Sequence, residues 1–148
     1  MINLITPDLT GKNIVILGSS MIVGTPLAFL LRDLNASVTL FNVNTKNADL
    51  LTKMADILVV AIGKAKLVKE YMVKRGAIVI DVGINKLISE KMQTIIVGDI
   101  DFDKVTFIYV IKVANFVSPV PGGVGPITAA MLLENVYLAW KFQNNIPD

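Results

Sequence analysis

Two stretches of the 148-residue chain combine bare backbone with hydroxyl groups in a pattern suited to holding a ligand. The first is ILGSSMIVGTP, residues 16–26, where Gly18 and Gly24 bracket Ser19 and Ser20 between a β-branched run and the helical spacing of LAFLLRDL. A glycine ending a first strand permits a tight bend, and the N-terminus of the next helix offers free N–H groups and a positive dipole end to phosphate oxygens. The chemistry on offer is anion binding, with a dinucleotide pyrophosphate as the natural guest. The pattern is not G-x-G-x-x-G, since Ser20 replaces the second glycine and Gly24 falls one residue late. Spacing alone leaves two readings open: a pyrophosphate seat, or glycines that only let a helix pack closely on its strand. On the first reading, Gly18→Val abolishes dinucleotide binding without unfolding the domain.

The second stretch is VSPVPGGVGPITAAMLLENV, residues 117–136. Its prolines and glycines make a stiff, bare-backbone loop, and Pro126 falls near the first turn of the helix that follows. Rigid loops at the carboxyl edge of an α/β sheet are where ligands sit; the plainer reading is a tight connection before the final helix.

Composition narrows the chemistry. With no Cys and no His, disulfides, thiol nucleophiles, thiolate metal sites and the commonest zinc ligand and general base are all missing, so no metal site is expected. A net charge of +2 from scattered lysines gives no basic stripe, and nucleic acid is not an expected partner. The chain is 53% hydrophobic, yet Lys, Asp, Asn and Gly interrupt every apolar run before the roughly 18 residues that span a bilayer. A buried parallel sheet, with an apolar face kept for a partner, accounts for the excess. The start MINLITPDLTGK lacks the features of a signal peptide, and the cytoplasm is the expected location.

The elements that must position these loops alternate along the chain. Strands are predicted at NIVIL (13–17), SVTLF (37–41), ILVVAI (57–62), AIVIDV (77–82) and FIYVI (107–111), with helices over 23–34, 46–54, 67–73 and 127–142. That order predicts one α/β domain with a Rossmann-type parallel sheet and helices on both faces. The last helix is apolar around much of its circumference, so it is either well buried or pressed on something else.

Taken together, GSSMIVGTP, ADILVVAIGK, GAIVIDVGIN, VGDIDFDKV and SPVPGGVGPITAAMLLEN resemble, in order and spacing, the methylenetetrahydrofolate dehydrogenase/methenyltetrahydrofolate cyclohydrolase family. The resemblance runs from about Leu9 to Val136 and is to the cofactor-binding half of such an enzyme. It implies a domain that binds NADP or NAD and takes hydride from 5,10-methylenetetrahydrofolate; bifunctional members then hydrolyse the methenyl product to 10-formyltetrahydrofolate. By that resemblance Gly18, Ser19, Ser20, Ile22, Val43, Asn44, Thr45 and Ile84 contact the cofactor. Pro121, Gly122, Gly123, Val124, Gly125, Pro126, Ile127, Thr128 and Ala129 form the wall between folate and nicotinamide. A backbone-lined wall suits two flat rings held face to face.

Departures from the family pattern carry their own expectations. Members using NADP commonly read Gly-Arg-Ser where this chain has Gly18-Ser19-Ser20, and His-Ser-Arg/Lys-Thr where it has Asn42-Val43-Asn44-Thr45. Both cationic partners for a 2′-phosphate are gone, and Lys46, a point charge one residue along, is a poor copy of a guanidinium. TFIYVI, 106–111, looks like about six residues more than the family usually places before the proline-glycine loop. The family's N-terminal folate-binding and catalytic domain has no counterpart in residues 1–148, so no catalytic residue is assigned and the chain alone is expected to be inactive. Tyr137 and Lys141 share the Tyr-x-x-x-Lys spacing of that domain and of short-chain dehydrogenases, but lie beyond the recognised loop and read as coincidence. Two alternatives to a cofactor domain are a non-catalytic nucleotide-binding or interaction module and a complete small reductase built on Tyr137 and Lys141. A homodimer is the expected assembly.

Overall fold

Uninterrupted β-branched runs build the centre of the sheet. In the computed structural model, which describes residues 1–89, 92–101 and 113–147, the elements begin with α1 (Ile2–Ile5), β1 (Asn13–Leu17), α2 (Gly24–Asp33), β2 (Ser37–Phe41), α3 (Ala48–Thr52) and β3 (Ile57–Val60). They continue with a 3-10 turn (Glu70–Met72), β4 (Ile78–Asp81), β5 (Asn85–Ile88), β6 (Thr94–Val97), β7 (Phe116–Val117) and α4 (Val124–Gln143). The main sheet has the order β2-β1-β3-β4-β7 and all its pairings are parallel. A strand at the centre of such a sheet is covered on both faces; accordingly Ile57, Leu58, Val59 and Val60 are all fully buried. Edge strand β2 buries only Phe41 completely.

Successive side chains of a strand point to opposite faces, so the core divides in two. On one face Val15, Leu17, Leu58, Val60 and Val79 pack with Met72, Val73, Ile100 and Leu51 of α3. On the other, Ile14, Ile16, Ile57, Val59 and Ile80 lie under Leu27 and Leu31 of α2 and Ile2 and Ile5 of α1. This is the expected Rossmann-type arrangement, with helices on both faces. α2 stops where Asn35 takes a left-handed conformation (φ 61°) and the Ala36 N–H turns back to the Leu31 carbonyl, a common helix ending.

The structure differs from the sequence reading in several places, beginning with the short helix α1, which was not expected. Residues 67–73 hold only the 3-10 turn, because Val68 is extended: it bridges Ile100 in parallel, its N–H reaching the Asp99 carbonyl while its own carbonyl receives the Asp101 N–H. The helix expected over 46–54 contracts to Ala48–Thr52, and the final helix starts at Val124 rather than at residue 127. An antiparallel hairpin, β5 with β6, and the two-residue strand β7 were not expected. The strand expected at 107–111, and the additional residues 106–111, lie outside the described residues.

Candidate functional site

Because β2 flanks β1 on one side and β3 on the other, the chain leaves the carboxyl ends of β1 and β3 in opposite directions, which opens a crevice between them. Gly18 sits at this point. Its N–H bonds the Phe41 carbonyl at 2.8 Å, its φ is +126°, and a Cβ built on it would lie within the Ala61 carbonyl. A Cβ on Gly24 would likewise strike the Gly18 carbonyl. Both glycines are therefore demanded by close packing of strand, loop and helix, and the expectation that Gly18→Val leaves the domain folded is corrected. Ser19, Ser20, Met21 and Ile22 are exposed beyond this knot. The turn is braced from within: the Ser20 hydroxyl accepts the Val23 N–H at 3.2 Å, the Ser20 carbonyl accepts the Thr25 N–H at 2.9 Å, and the Thr25 hydroxyl donates to the Ser19 carbonyl at 3.3 Å. No side chain caps the N-terminus of α2.

Beside it, at the end of β2, Val43, Asn44 and Thr45 form a turn closed on Asn42, whose side chain accepts the Asn44 N–H at 2.9 Å and whose carbonyl accepts the Thr45 N–H at 3.0 Å. Val43 and Asn44 are exposed and Thr45 is half-buried. The third part of the edge faces Ile84, which follows β4 and is 64% exposed. Ile84 and residues Pro121–Gly125 line one cleft of about 110 Å³. Gly122 has a φ of +104°, and a Cβ on Gly123 would collide with the Pro119 carbonyl, so these two glycines serve the loop itself. Gly125 is different: a Cβ there meets nothing within 4 Å, and its backbone needs no glycine. Val124, Gly125 and Pro126 of the expected wall join Ile127, Thr128 and Ala129 on the first turns of α4, where the Thr128 hydroxyl donates to the Val124 carbonyl at 3.0 Å.

Behind the loops lies a buried carboxylate network. Asp81 Oδ1 accepts the N–H groups of Gly83 and Asp99, both at 3.0 Å, and Oδ2 accepts that of Ile100 at 3.0 Å. The Asp81 N–H donates to the Ser118 hydroxyl at 2.7 Å. Burial pushes the Asp81 carboxyl up to about 6; the three amide hydrogen bonds oppose the shift and the nearby charge of Asp99 adds to it. Asp99 Oδ2 accepts the Ile62 and Gly63 N–H groups at 2.7 and 2.8 Å. Asp81 closes the turn after β4 through the Gly83 N–H, whereas Asp99 accepts from residues distant in the chain.

A second hollow of about 620 Å³, between α1, α2 and the start of α4, is lined by aliphatic side chains including Ile22, Leu27, Leu30, Val124 and Ile127. It belongs to an apolar face that continues along α4, none of whose residues is buried. Tyr137 and Lys141 lie on that helix with the Lys141 ammonium 5.9 Å from the Tyr137 ring centre, and neither lines the cleft of Ile84 and the proline-glycine loop. Among the described residues no group of His, Cys, Asp and Glu is arranged to hold a metal, and no helix is long and apolar enough to cross a membrane.

Residues 1–144 match the family described as tetrahydrofolate dehydrogenase/cyclohydrolase, NAD(P)-binding domain. The chain belongs to this family. The bifunctional protein FolD of Fusobacterium nucleatum is 49% identical over 139 residues, which are 94% of this chain and 46% of that protein. The crystal structure of the bifunctional FolD methylenetetrahydrofolate dehydrogenase/cyclohydrolase of Campylobacter jejuni superposes with a TM-score of 0.83 at 44% identity, covering 96% of this chain and 47% of the other. The Trypanosoma brucei FolD, crystallised with NADP cofactor and an inhibitor, superposes at 0.85 with 35% identity, covering 96% and 48%. The chain thus spans about half the length of the relatives it matches.

In this tetrahydrofolate dehydrogenase/cyclohydrolase NAD(P)-binding domain, the sequence reading missed Asn85, Ser118 and Gly63, which tie the loops together. Short strands that are not buried on both faces, such as NKLI with its half-exposed alternation, carry little hydrophobic signal.

Proposed function

We propose that this chain is the cofactor-binding half of an enzyme that oxidises 5,10-methylenetetrahydrofolate to 5,10-methenyltetrahydrofolate, with hydrolysis to 10-formyltetrahydrofolate as the further activity of a bifunctional member. The observation that carries it is the bare arc of Gly122–Gly125 facing Ile84 across one cleft. Gly125 in particular is a glycine near a helix start with no internal reason to lack a side chain, at a place where glycine is less favourable than alanine by about 0.5–1 kcal/mol. A flat ligand that must approach the backbone supplies the reason.

Nicotinamide, when bound, supplies the hydride acceptor. The chain's own contribution is to seat and orient. The turn at Gly18, Ser19 and Ser20 with the uncapped start of α2 holds the pyrophosphate, with Ile22 beside it, and the Val43–Thr45 turn meets the adenosine ribose. Ile84 packs on the nicotinamide side, and Pro121–Gly123 with the first turns of α4, Val124 to Ala129, separates cofactor from folate. The groups that bind folate and move protons belong to a partner domain, and the chain by itself binds cofactor without completing the reaction.

Gly125→Val tests this. The added side chain meets open space, so the melting temperature is expected to stay within about 3 °C of the parent, whereas hydride transfer from 5,10-methylenetetrahydrofolate, followed at 340 nm with the folate-binding domain present, is expected to fall at least about tenfold, or 1.4 kcal/mol. Unchanged turnover in the variant rules out the wall.

The same reading places the protein in the cytoplasm and gives α4 an apolar partner. Leu132, Leu133, Val136 and Phe142 are exposed along it, and each such side chain left in water forgoes about 1.5–3 kcal/mol of burial. The family's folate domain is the natural cover; in its absence a two-fold homodimer of this chain is the simplest one. Trp140, the single tryptophan, reports on this face and is half-exposed. Sedimentation is expected to give a dimer mass, with Trp140 emission moving to the red on dilution; a monomer with constant emission excludes self-association.

A further inference from the structure

The loops that form the crevice are not independent. Asp99, fully buried two residues beyond β6, reaches two of them at once: its Oδ2 takes both the Ile62 and Gly63 N–H groups of the loop after β3, and its Oδ1 takes the side-chain N–H of Asn85, the first residue of β5 and the far anchor of the loop after β4, at 2.8 Å. The approach is possible only because Gly83 has no side chain, since a Cβ there would sit in the Asp99 carboxyl. Asp99 is itself located by Asp81, which accepts its N–H, and Asp81 is tied through its own N–H to Ser118 at the entry to the proline-glycine loop. One network therefore runs from the loop that abuts Gly18 to the loop that carries Ile84 and on to the wall.

We propose that Asp99 and Asn85 are positioning residues that set the loop after β3 against the loop after β4 and so fix the width of the crevice a dinucleotide enters; this rests on the cofactor reading above. Neither touches the reacting atoms. Their joint action has a signature. Asn85→Asp brings a second carboxylate against Asp99, and once the pair has lost the single proton it can share, like charges at hydrogen-bond distance force the two loops apart, so the variant is compared with the parent on the alkaline side of that loss. Asp99→Asn is mild, because both backbone amides land on a single oxygen, which an asparagine keeps, and the Asn85 amide can turn over to accept the new N–H. In Asn85→Asp with Asp99→Asn the hydrogen bond is restored with donor and acceptor exchanged.

The full chain is titrated with NAD and with NADP by calorimetry, each variant first shown to be folded by circular dichroism, and amide exchange is read at Ile62 and Gly63. Asn85→Asp is expected to weaken binding at least tenfold and to quicken exchange at both amides; Asp99→Asn and the double variant are expected to stay within threefold of the parent on both readouts. Asp56→Asn is the control. It removes a carboxylate that accepts the Asn13 N–H and pairs with Lys74 at the opposite edge of the sheet, and is expected to lower stability and leave the dissociation constant unchanged. An Asn85→Asp variant that binds like the parent, a double variant that fails to recover, or a control that weakens binding equally overturns the proposal. So does weaker binding with exchange unaltered, which would assign the effect to charge alone. If the parent binds neither dinucleotide, the cofactor reading fails, and the exchange pattern across the variants still decides whether Asp99 and Asn85 hold the two loops.

Discussion

Gly18→Ala is expected to lower the melting temperature by about 10 °C or more, before any question of ligand arises. The φ of +126° at Gly18 is a conformation L residues rarely adopt, and an added Cβ is driven into the Ala61 carbonyl, which is backbone of a fully buried strand's exit and has no soft rotamer to yield. Overpacking of this kind costs about 1–3 kcal/mol and backbone strain about as much again. Against a domain stability of roughly 5–15 kcal/mol, with about 2–4 °C per kcal/mol at this size, the loss is large. Thermal unfolding followed by circular dichroism reads it. A variant melting within 2 or 3 °C of the parent means that the knot between β1, β3 and α2 is looser than the structure shows. Loss of nucleotide binding in a Gly18 variant is for the same reason no evidence for a phosphate seat, and substitution at the exposed Ser19, whose side chain does not brace the turn, is the cleaner probe.

That outcome shows what spacing conveys and what it does not. NIVIL and ILVV were legible as central strands because burial on both faces selects unbroken β-branched runs, and their registers follow. The glycines of GSSMIVG were legible as a turn, but what faces them was not: Ala61 comes from a different strand, and nothing within residues 16–26 encodes its approach. Val68 read as helical for the same reason. Its local sequence suits a helix, and only pairing with Ile100 makes it extended. The proline-glycine loop was legible in composition, whereas the carboxylates that hold it in place connect residues far apart in the chain, Asp81 to Ser118 and Asp99 to Ile62 and Gly63. Types such as Asp next to Gly announce satisfied turns; the partners that satisfy them emerge only in three dimensions. The site is thus half written in local pattern and half in contacts that the sheet order creates.

The choice between the two dinucleotides follows from residues at the β1 and β2 exits. A 2′-phosphate is a dianion, and each charge-assisted hydrogen bond to it contributes roughly 1.5–3 kcal/mol. Ser19 and Ser20 are exposed and neutral, and Asn42 closes its own turn by accepting the Asn44 and Thr45 N–H groups, so neither place offers a guanidinium. Lys46 lies exposed one residue beyond that turn. The expected result of paired calorimetric titrations is that NADP holds no more than about a tenfold advantage, 1.4 kcal/mol, over NAD. Ser19→Arg is expected to raise NADP affinity by about tenfold or more and to leave NAD affinity nearly unchanged, because the new cation meets a charge only NADP carries. The exposed site tolerates the longer side chain, so melting temperature is expected to hold. A parent that prefers NADP by well over tenfold contradicts this account, and Lys46→Ala then shows whether that ammonium, reaching back across the turn, carries the 2′-phosphate in place of the two missing cations.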